Sequence, residues 1–289
     1  VRELPCDVSF RHCPETEWEI GSARIRAGSV THRGPTLGYR IDDGGSSLAY
    51  IPDHEPARLH ILLTHLHLDH IQGLVFFAPA FRPQTEIVIW GPASPEASLR
   101  DRIARYISAP LSPVEVRELP CDVSFRHCPE SEWEIGSARI RSASVSHRGP
   151  TLGYRIDDGD SSLAYIPDHE PALGADLDQL EEDWISGFAL ARDASLLIHD
   201  GQYTDAEYPQ HVGWGHSAIS HALSFARRTG ADRTVLFHHD PMHSDDQLDE
   251  LGREARDRWI GFGGDPARIE LGAERAAYEL PARAPGALV

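Results

Sequence analysis

Residues 60–70, with the sequence His-Ile-Leu-Leu-Thr-His-Leu-His-Leu-Asp-His, constrain this chain more than any other stretch. The apolar run 61–63 predicts a buried β-strand. Four metal-ligating side chains follow within six residues, namely His65, His67, Asp69 and His70. On a continuing strand the first two histidines share one face, while Leu66 and Leu68 point into the core on the other. Such polar side chains in an apolar setting are costly unless paired, so a metal site is favoured over a histidine-rich strand end without metal.

Asp69 and His70 fall where this strand gives way to a short apolar helix, predicted over residues 71–77. From that turn they can serve a second cation, a few ångströms from the one that His65 and His67 would share. The stretch therefore offers ligands for two neighbouring cations.

The composition is that of an ordinary globular protein, with 289 residues, 40% of them hydrophobic and 25% charged. This length allows one large domain or two small ones, and we expect a single domain over residues 1–289 with a flexible tail at 281–289. No apolar run is long enough to span a membrane and no signal peptide is visible, so a cytoplasmic protein is expected. The four cysteines match no zinc ribbon and are expected to be reduced.

The formal net charge of −18 bears on the choice of partner. An acidic surface repels phosphate backbones, and the chain contains no run of Lys or Arg. A long nucleic acid is therefore disfavoured, and a small-molecule ester or phosphodiester is the expected substrate. A homodimer is compatible with the sequence.

Residues 1–57 recur almost unchanged as residues 116–172. Five pairs of positions differ, namely Thr16/Ser131, Ala27/Ser142, Gly28/Ala143, Thr31/Ser146 and Gly45/Asp160. Solenoid repeats diverge much more than this, so the near-identity indicates a recent duplication or a sequence-assembly error. Each copy predicts strands that include a hairpin around an Asp-Asp-Gly turn. Because two such segments can compete for one place in a sheet, our hypothesis is that only the second copy feeds the functional site.

Downstream, strands and helices alternate, which indicates a mixed α/β class. Helices are predicted over residues 95–107, 176–192, 217–228 and 245–259. Gly230 is a stop signal for the third of them, and Ser244 with Gln247 is a capping box for the fourth. Strands are predicted over residues 86–90, 194–198 and 233–237, the last two running directly into His199 and His238.

The pattern at residues 65–70 is an HxHxDH signature and resembles that of the metallo-β-lactamase superfamily. Ser-His-Arg-Gly-Pro at 146–150, ahead of a Gly-Tyr-Arg strand, resembles the third-histidine motif of its ribonuclease Z and phosphodiesterase branch. Gly-Trp-Gly-His-Ser at 213–217 resembles the glycine-flanked His-Ser motif of the same branch. The resemblance covers residues 60–275 and implies an αββα sandwich, in which two mixed sheets are flanked by helices.

The resemblance also implies two zinc ions, with manganese or iron as alternatives. The implied ligands are His65, His67 and His147 for the first ion and Asp69, His70 and His238 for the second, with Asp168 bridging the two. His239 is a rival of His238, but strand alternation turns it the other way. His32 and Asp53 occupy the equivalent positions in the first copy and are interpreted as structural. His243 is interpreted as a surface loop residue.

Roles beyond metal binding also follow from the resemblance. His216 would face the scissile bond and protonate the leaving oxygen, at a helix start that favours an anion; a hydrogen-bonded residue of the helix N-terminus is the alternative. Asp69 would act in catalysis by orienting the attacking hydroxide. Arg148 is expected to bind substrate, and His199 and Asp200 are expected to support the ligands from behind.

The implied function is that of a dinuclear-metal-dependent hydrolase, with attack by a metal-bound hydroxide on a small, cyclic phosphodiester. Three alternatives stay open: a carboxylic ester or lactone hydrolase on the same metals, ribonuclease Z-like RNA processing, and a non-catalytic metal-binding scaffold. The true β-lactamase branches carry a cysteine ligand and an export signal. Neither is seen here, which argues against antibiotic hydrolysis.

Overall fold

The structure is a computed structural model that describes residues 58–129, 131–274 and 276–280, together with the backbone of four strands between residues 17 and 50. The chain divides into two compact units. One comprises Val1–Leu59 with Pro83–Glu86, and the other comprises His60–Arg82 with Ile87–Val289.

The first copy of the repeat forms a four-stranded antiparallel sheet in the order β1-β2-β3-β4. Its strands are β1 (Glu17–Ile20), β2 (Ala23–Ser29), β3 (Leu37–Asp43) and β4 (Ser46–Tyr50). The predicted hairpin is β3–β4, in which Tyr39 pairs with Tyr50. His32 and Asp53 lie outside the described residues.

A three-stranded sheet in the order β5-β6-β7 carries the beginning of the histidine-rich stretch. Its strands are β5 (Arg58–Leu62), β6 (Glu86–Gly91) and β7 (Asp122–His127). β6 is buried from its second residue onward, as expected for an apolar run in a sheet core. The short helices α1 (Leu68–Ile71) and α2 (Leu99–Ala104) belong to this half of the chain.

The second copy enters a seven-stranded sheet in the order β14-β13-β12-β11-β10-β9-β8. The strands are β8 (Trp133–Ile135), β9 (Ala138–Ser144), β10 (Leu152–Asp158), β11 (Ser161–Ile166), β12 (Leu196–Asp200), β13 (Thr234–Phe237) and β14 (Ile269–Leu271). The repeat supplies the antiparallel part, β8 to β11, and parallel strands follow from β11 to β14. β9 and β10 use the register of the first copy, with Ile140 opposite Ile156 as Ile25 is opposite Ile41.

Helices cover the larger sheet: α3 (Phe188–Ala191), α4 (Ile219–Thr229) and α5 (Asp245–Gly261). Leu223 and Phe225 of α4 are fully buried in one core cluster with Leu197 of β12. The three-stranded and seven-stranded sheets with their helices confirm the predicted mixed α/β class with an αββα arrangement. No helix of the described residues is both long and apolar enough to cross a bilayer.

Local signals placed the ends of the long helices correctly. Gly230 ends α4 in the left-handed conformation, with φ 69°, as predicted for a helix stop. Ser244 and Gln247 form the predicted capping box of α5. The prediction of a helix over 95–107 was too long, because Ser98 accepts the N–H of Asp101 and caps the shorter α2.

The prediction of one helix over 176–192 was wrong. The segment consists of two 3₁₀ turns, Leu177–Gln179 and Glu182–Trp184, followed by α3. Arg228 of α4 donates to the carbonyl oxygens of Leu177 and Leu180, which are therefore satisfied from outside the segment. Gly187, with φ 71°, then breaks the helical conformation of the backbone just ahead of α3.

Candidate metal centre

The strand that opens the histidine-rich stretch ends at Leu62, earlier than predicted. Beyond it, the chain turns towards β10: Leu152 N–H donates to Thr64 O (2.9 Å), and Tyr154 Oη donates to Leu63 O (2.6 Å). His65 and His67 therefore lie on a loop, and strand alternation is not what brings them together. Leu68 does not reach the core as predicted, because it begins α1 with 56% of its surface exposed.

The predicted short helix over 71–77 also differs from expectation. α1 begins at Leu68 and tightens at its end into a 3₁₀ turn, Gln72–Phe76. Asp69 and His70 thus lie in the first turn of α1, one turn ahead of the predicted helix.

The first group of candidate ligands comprises His65, His67, His147 and Asp168. His67 Nδ1 lies 3.1 Å from His65 Nε2 and 3.2 Å from His147 Nε2. Asp168 Oδ2 lies 3.5 Å from His65 Nε2 and 3.7 Å from His147 Nε2. Three imidazole nitrogens and one carboxylate oxygen therefore converge on one point.

His147 reaches this point from the loop between β9 and β10. Its Nδ1 donates to the carbonyl oxygen of Gly215 (2.8 Å), so in the neutral ring Nε2 carries the lone pair that faces the group. On the other side, His65 Nδ1 is hydrogen-bonded to Thr64 Oγ1 (3.0 Å). Burial lowers the pKa of His65 to about 3, although the charge of Asp168 acts in the opposite direction. The low pKa keeps this ring neutral, as a metal ligand must be.

The second group comprises Asp69, His70 and His238, with Asp168 beside them. His70 Nε2 lies 3.2 Å from His238 Nε2, 3.2 Å from Asp69 Oδ2 and 3.1 Å from Asp168 Oδ1. His238 Nε2 lies 3.3 Å from Asp168 Oδ2. His238 follows β13 in the left-handed conformation, with φ 58°, a strained backbone of the kind that concentrates at functional sites.

Asp168 is common to both groups and only 1% exposed. It lies just beyond β11, in the acidic turn that the second copy of the repeat provides. Burial by itself would raise the pKa of this carboxyl group. The hydrogen bond from His70 and the charges of His238 and His65 overcome that effect and hold the pKa well below its ordinary value.

The donor set fits divalent cations. A tetrahedral zinc ion with bonds of about 2.0–2.1 Å separates its ligand atoms by about 3.3–3.4 Å. The eight separations given above run from 3.1 to 3.7 Å. Mutual hydrogen bonds cannot explain them all, because a neutral imidazole has one N–H and that of His147 already binds Gly215 O. Nitrogen lone pairs facing one another are what a shared cation requires.

His216 lies beside the second group. Its Nδ1 donates to Asp200 Oδ2 (2.7 Å), and its ring stacks on that of His238 with centroids 5.0 Å apart. One of its nitrogens lies within 4.8 Å of ligand atoms of Asp168 and His238. The predicted position at a helix start is not exact, because α4 begins at Ile219 and its N-cap is Ala218.

Asp200 fixes His216 from a fully buried position at the end of β12. The carboxylate also accepts the backbone N–H groups of Ser217 (2.9 Å) and Gln202 (3.0 Å). Burial raises its pKa, and these N–H groups oppose the rise. His199 lies farther from the centre, with its Nε2 2.9 Å from His169 Nδ1. The sequence predicted that Asp200 and His199 would hydrogen-bond to the second nitrogen of a ligand histidine. Among the contacts of the described residues, neither side chain makes such a bond.

The sequence analysis also considered His239 and His243 near the second group. His239 Nε2 donates to Gly272 O (3.3 Å), away from both groups, in agreement with the preference for His238. His243 lies on a loop as predicted, but its side chain is only 5% exposed and its Nε2 lies 3.1 Å from Glu207 Oε1.

Sequence reasoning missed Glu170, two residues beyond Asp168 and 1% exposed. Its carboxylate accepts Tyr208 Oη (2.7 Å), Gly213 N–H (2.9 Å) and Gly215 N–H (2.8 Å). It therefore holds the loop that presents His216. The available signal was an acidic residue beside a ligand, together with a Gly-x-Gly loop whose N–H groups need an acceptor.

Sequence reasoning also missed the role of Trp214 in this loop. Its indole is 49% exposed, and the guanidinium carbon of Arg148 lies 5.5 Å from the ring centroid. Arg148, which had been expected to bind substrate, is exposed beside His147.

Comparison with known proteins decides the family. Residues 54–239 match the family model described as a beta-lactamase superfamily domain. The chain belongs to this superfamily. Ribonuclease Z of Gemmatimonas aurantiaca is 27% identical over 301 residues, covering 89% of this chain and 93% of the relative. Ribonuclease Z of Mycobacterium sp. (strain KMS) is 30% identical over 240 residues, covering 73% and 77%.

Solved structures agree on the fold of this superfamily member. The metallo-beta-lactamase fold protein YhfI from Bacillus subtilis aligns with a TM-score of 0.55 and 17% identity, covering 89% of this chain and 99% of that one. Human tRNase Z, short form, aligns with a TM-score of 0.53 and 18% identity, with the same coverage of 89% and 99%. Together with the donor set, the relatives identify a ribonuclease Z-like, metal-dependent hydrolase of the metallo-β-lactamase superfamily.

Proposed function

We propose that this hydrolase is a phosphodiesterase that acts on a small, cyclic phosphodiester. Its site would bind two divalent cations, and zinc is the first choice for them. The observation that carries the proposal is the pairing of His216 with buried Asp200 beside two ligand groups that share Asp168. This arrangement offers charge for a phosphate and a proton donor for its leaving oxygen.

The ligand assignment is part of the proposal. His65, His67 and His147 would hold one cation, Asp69, His70 and His238 the other, and Asp168 would bridge them. Cations bound there would lower the pKa of a water molecule and stabilise negative charge on the phosphate. The carboxylates Asp69 and Asp168 offer acceptors that orient such a water for attack.

His216 is the proposed catalytic group at the leaving oxygen. Because Asp200 accepts the proton on Nδ1, Nε2 is the nitrogen left to address the substrate. Asp200 also fixes the orientation of the ring from which a proton would be transferred to the leaving oxygen, while burial lowers the pKa of His216 and so favours release of that proton. Arg148 would add a cation for the phosphate from the loop next to His147.

The test combines elemental analysis with an activity panel on the zinc-loaded protein. We expect about two zinc ions per chain, hydrolysis of bis-p-nitrophenyl phosphate and of a 2′,3′-cyclic nucleotide, and no turnover of lactones. Turnover of lactones alone would show that the protein is a carboxylic ester hydrolase that uses the same metals. Stoichiometric zinc without turnover of any ester would leave a metal-binding scaffold.

RNA processing is the second candidate, because the relatives reported above are named ribonuclease Z. These names weigh against our expectation that long nucleic acid is disfavoured. The formal charge of −18 still opposes RNA binding by general electrostatic attraction. A precursor tRNA in the same panel decides: cleavage at a rate well above that of the cyclic nucleotide would favour RNA.

A further inference from the structure

Two backbone segments touch beside the first ligand group. A Cβ atom on Gly215 would lie 2.5 Å from His147 Nδ1, 2.8 Å from His147 Cα and 3.1 Å from Arg148 N, so these segments are in direct contact. Trp214 precedes Gly215, and Arg148 follows His147. Their side chains therefore start from neighbouring points of the same contact.

The backbone of Trp214 is held from both sides. Gly213 and Gly215 donate their N–H groups to buried Glu170, and Trp214 N–H donates to His211 O (2.9 Å). The His211 ring stands edge-on to the indole, with centroids 4.9 Å apart. Nevertheless, 49% of Trp214 remains exposed. A large apolar ring is thus exposed to solvent on a fixed loop. This exposure gives up the free energy that burial of the ring would contribute.

Arg148 lies against this ring and has no carboxylate within salt-bridge distance among the described residues. In a chain with a formal charge of −18, an arginine stacked on tryptophan and not paired with an acid is available to an anion. A stacked guanidinium keeps its in-plane N–H groups free for a phosphate or a base edge.

We propose that Trp214 and Arg148 form a specificity element that selects phosphodiesters carrying an aromatic base on the side of the phosphate that is retained. The base stacks on the indole, and Arg148 binds the phosphate or the edge of the base. Base–aromatic stacking stabilises binding by about 1–3 kcal/mol for any base, so the element selects nucleosides as a class and not one base. This inference rests on the proposed phosphodiesterase function.

The test uses two substrates with the same leaving group, thymidine 5′-(p-nitrophenyl phosphate) and methyl p-nitrophenyl phosphate. For the thymidine ester, Trp214→Ala should raise KM about 5- to 150-fold, the equivalent of the stacking energy, with kcat changed much less. For the methyl ester, which carries no base, KM should change much less. Trp214→Phe should recover most of the loss. Trp184→Ala, which removes an indole that is 78% exposed on another segment, is the matched control and should leave both substrates unaffected.

An equal effect of Trp214→Ala on both substrates would overturn the specificity element while leaving the phosphodiesterase in place. If wild-type protein hydrolyses neither substrate, the proposed function fails, and titration calorimetry with thymidine 5′-monophosphate decides the inference separately. Binding that Trp214→Ala weakens at least fivefold and Trp184→Ala does not would support the element. Binding that is absent or equal in all variants would overturn it.

Discussion

The carbonyl oxygen of Gly215 accepts a hydrogen bond from His147 Nδ1 at 2.8 Å, and this contact joins the two functional parts of the site. It fixes the ring of a proposed metal ligand with Nε2 towards the ligand group. It also fixes the loop whose next residue is His216. The ligand and the proposed proton donor are therefore positioned by one interaction between residues 68 positions apart.

Gly215→Ala should break this coupling. The residue has φ 91°, and the new Cβ would lie 2.5 Å from His147 Nδ1. The backbone conformation alone costs about 1–2 kcal/mol for an L side chain, and His147 must also move. We expect zinc affinity to fall about 10- to 100-fold, as measured by competition with a chromophoric chelator.

Gly213→Ala is the matched control. Gly213 has a similar φ of 83°, but nothing lies within 4 Å of a Cβ placed there. This variant should lose comparable stability on thermal unfolding and retain its zinc affinity. Equal losses of zinc in the two variants would show that backbone strain, and not the contact with His147, controls the site.

Glu170→Gln should disturb the same loop from its other side. The substitution places an NH₂ group where a carboxylate oxygen accepts backbone N–H groups of Gly213 and Gly215. A buried donor left facing a donor costs about 1–3 kcal/mol, which urea unfolding of the zinc-loaded protein would measure. Because the loop carries His216, kcat should fall more than KM rises.

Tyr208→Phe serves as the comparison for Glu170→Gln. It removes one hydrogen bond to the carboxylate and leaves both glycine N–H groups bonded. We expect a loss of about 0.5–1.5 kcal/mol in stability and little change in kcat. If kcat falls as far as in Glu170→Gln, the role assigned to the glycine contacts is wrong.

His216→Ala should separate catalysis from metal binding. The residue lies beside the ligands but is bonded to Asp200, so its removal should lower kcat about 10²- to 10⁴-fold and leave the zinc content unchanged. Asp200→Asn should lower kcat through the same residue, and the double variant should be little worse than His216→Ala. Loss of a zinc ion in His216→Ala would make this histidine a ligand and refute its role as proton donor.

Much of the fold was predictable because its signals are local. The capping box at Ser244 and the glycine stop at Gly230 are read within a few residues of the helix ends that they determine. The segment 176–192 was not predictable in the same way. Two of its carbonyl oxygens, those of Leu177 and Leu180, accept from Arg228, about 50 residues later, and no pattern within the segment reveals that partner.

The residues of the site also differ in whether local sequence reveals them. Ligand-type residues at 65–70 are dense enough in sequence to indicate a metal centre before any fold is known. Glu170 gives no comparable signal, because its partners Tyr208, Gly213 and Gly215 follow it by 38 to 45 residues. His65 and His67 lie close together, as predicted. The predicted reason, a shared strand face, was wrong, because both residues lie on a loop beyond β5.

The duplication offers a matched pair of carboxylates for the last prediction. Asp168 and Asp53 end identical tetrapeptides, Tyr-Ile-Pro-Asp, but Asp168 lies within 3.1–3.7 Å of four histidine nitrogens. Asp168→Ala should remove at least one equivalent of zinc, because ligand atoms in both groups would lose their shared acid. Asp53→Ala should retain the wild-type zinc content. Equal losses, measured by elemental analysis after dialysis, would mean that the first copy also feeds the site and that the two copies exchange places in the sheet.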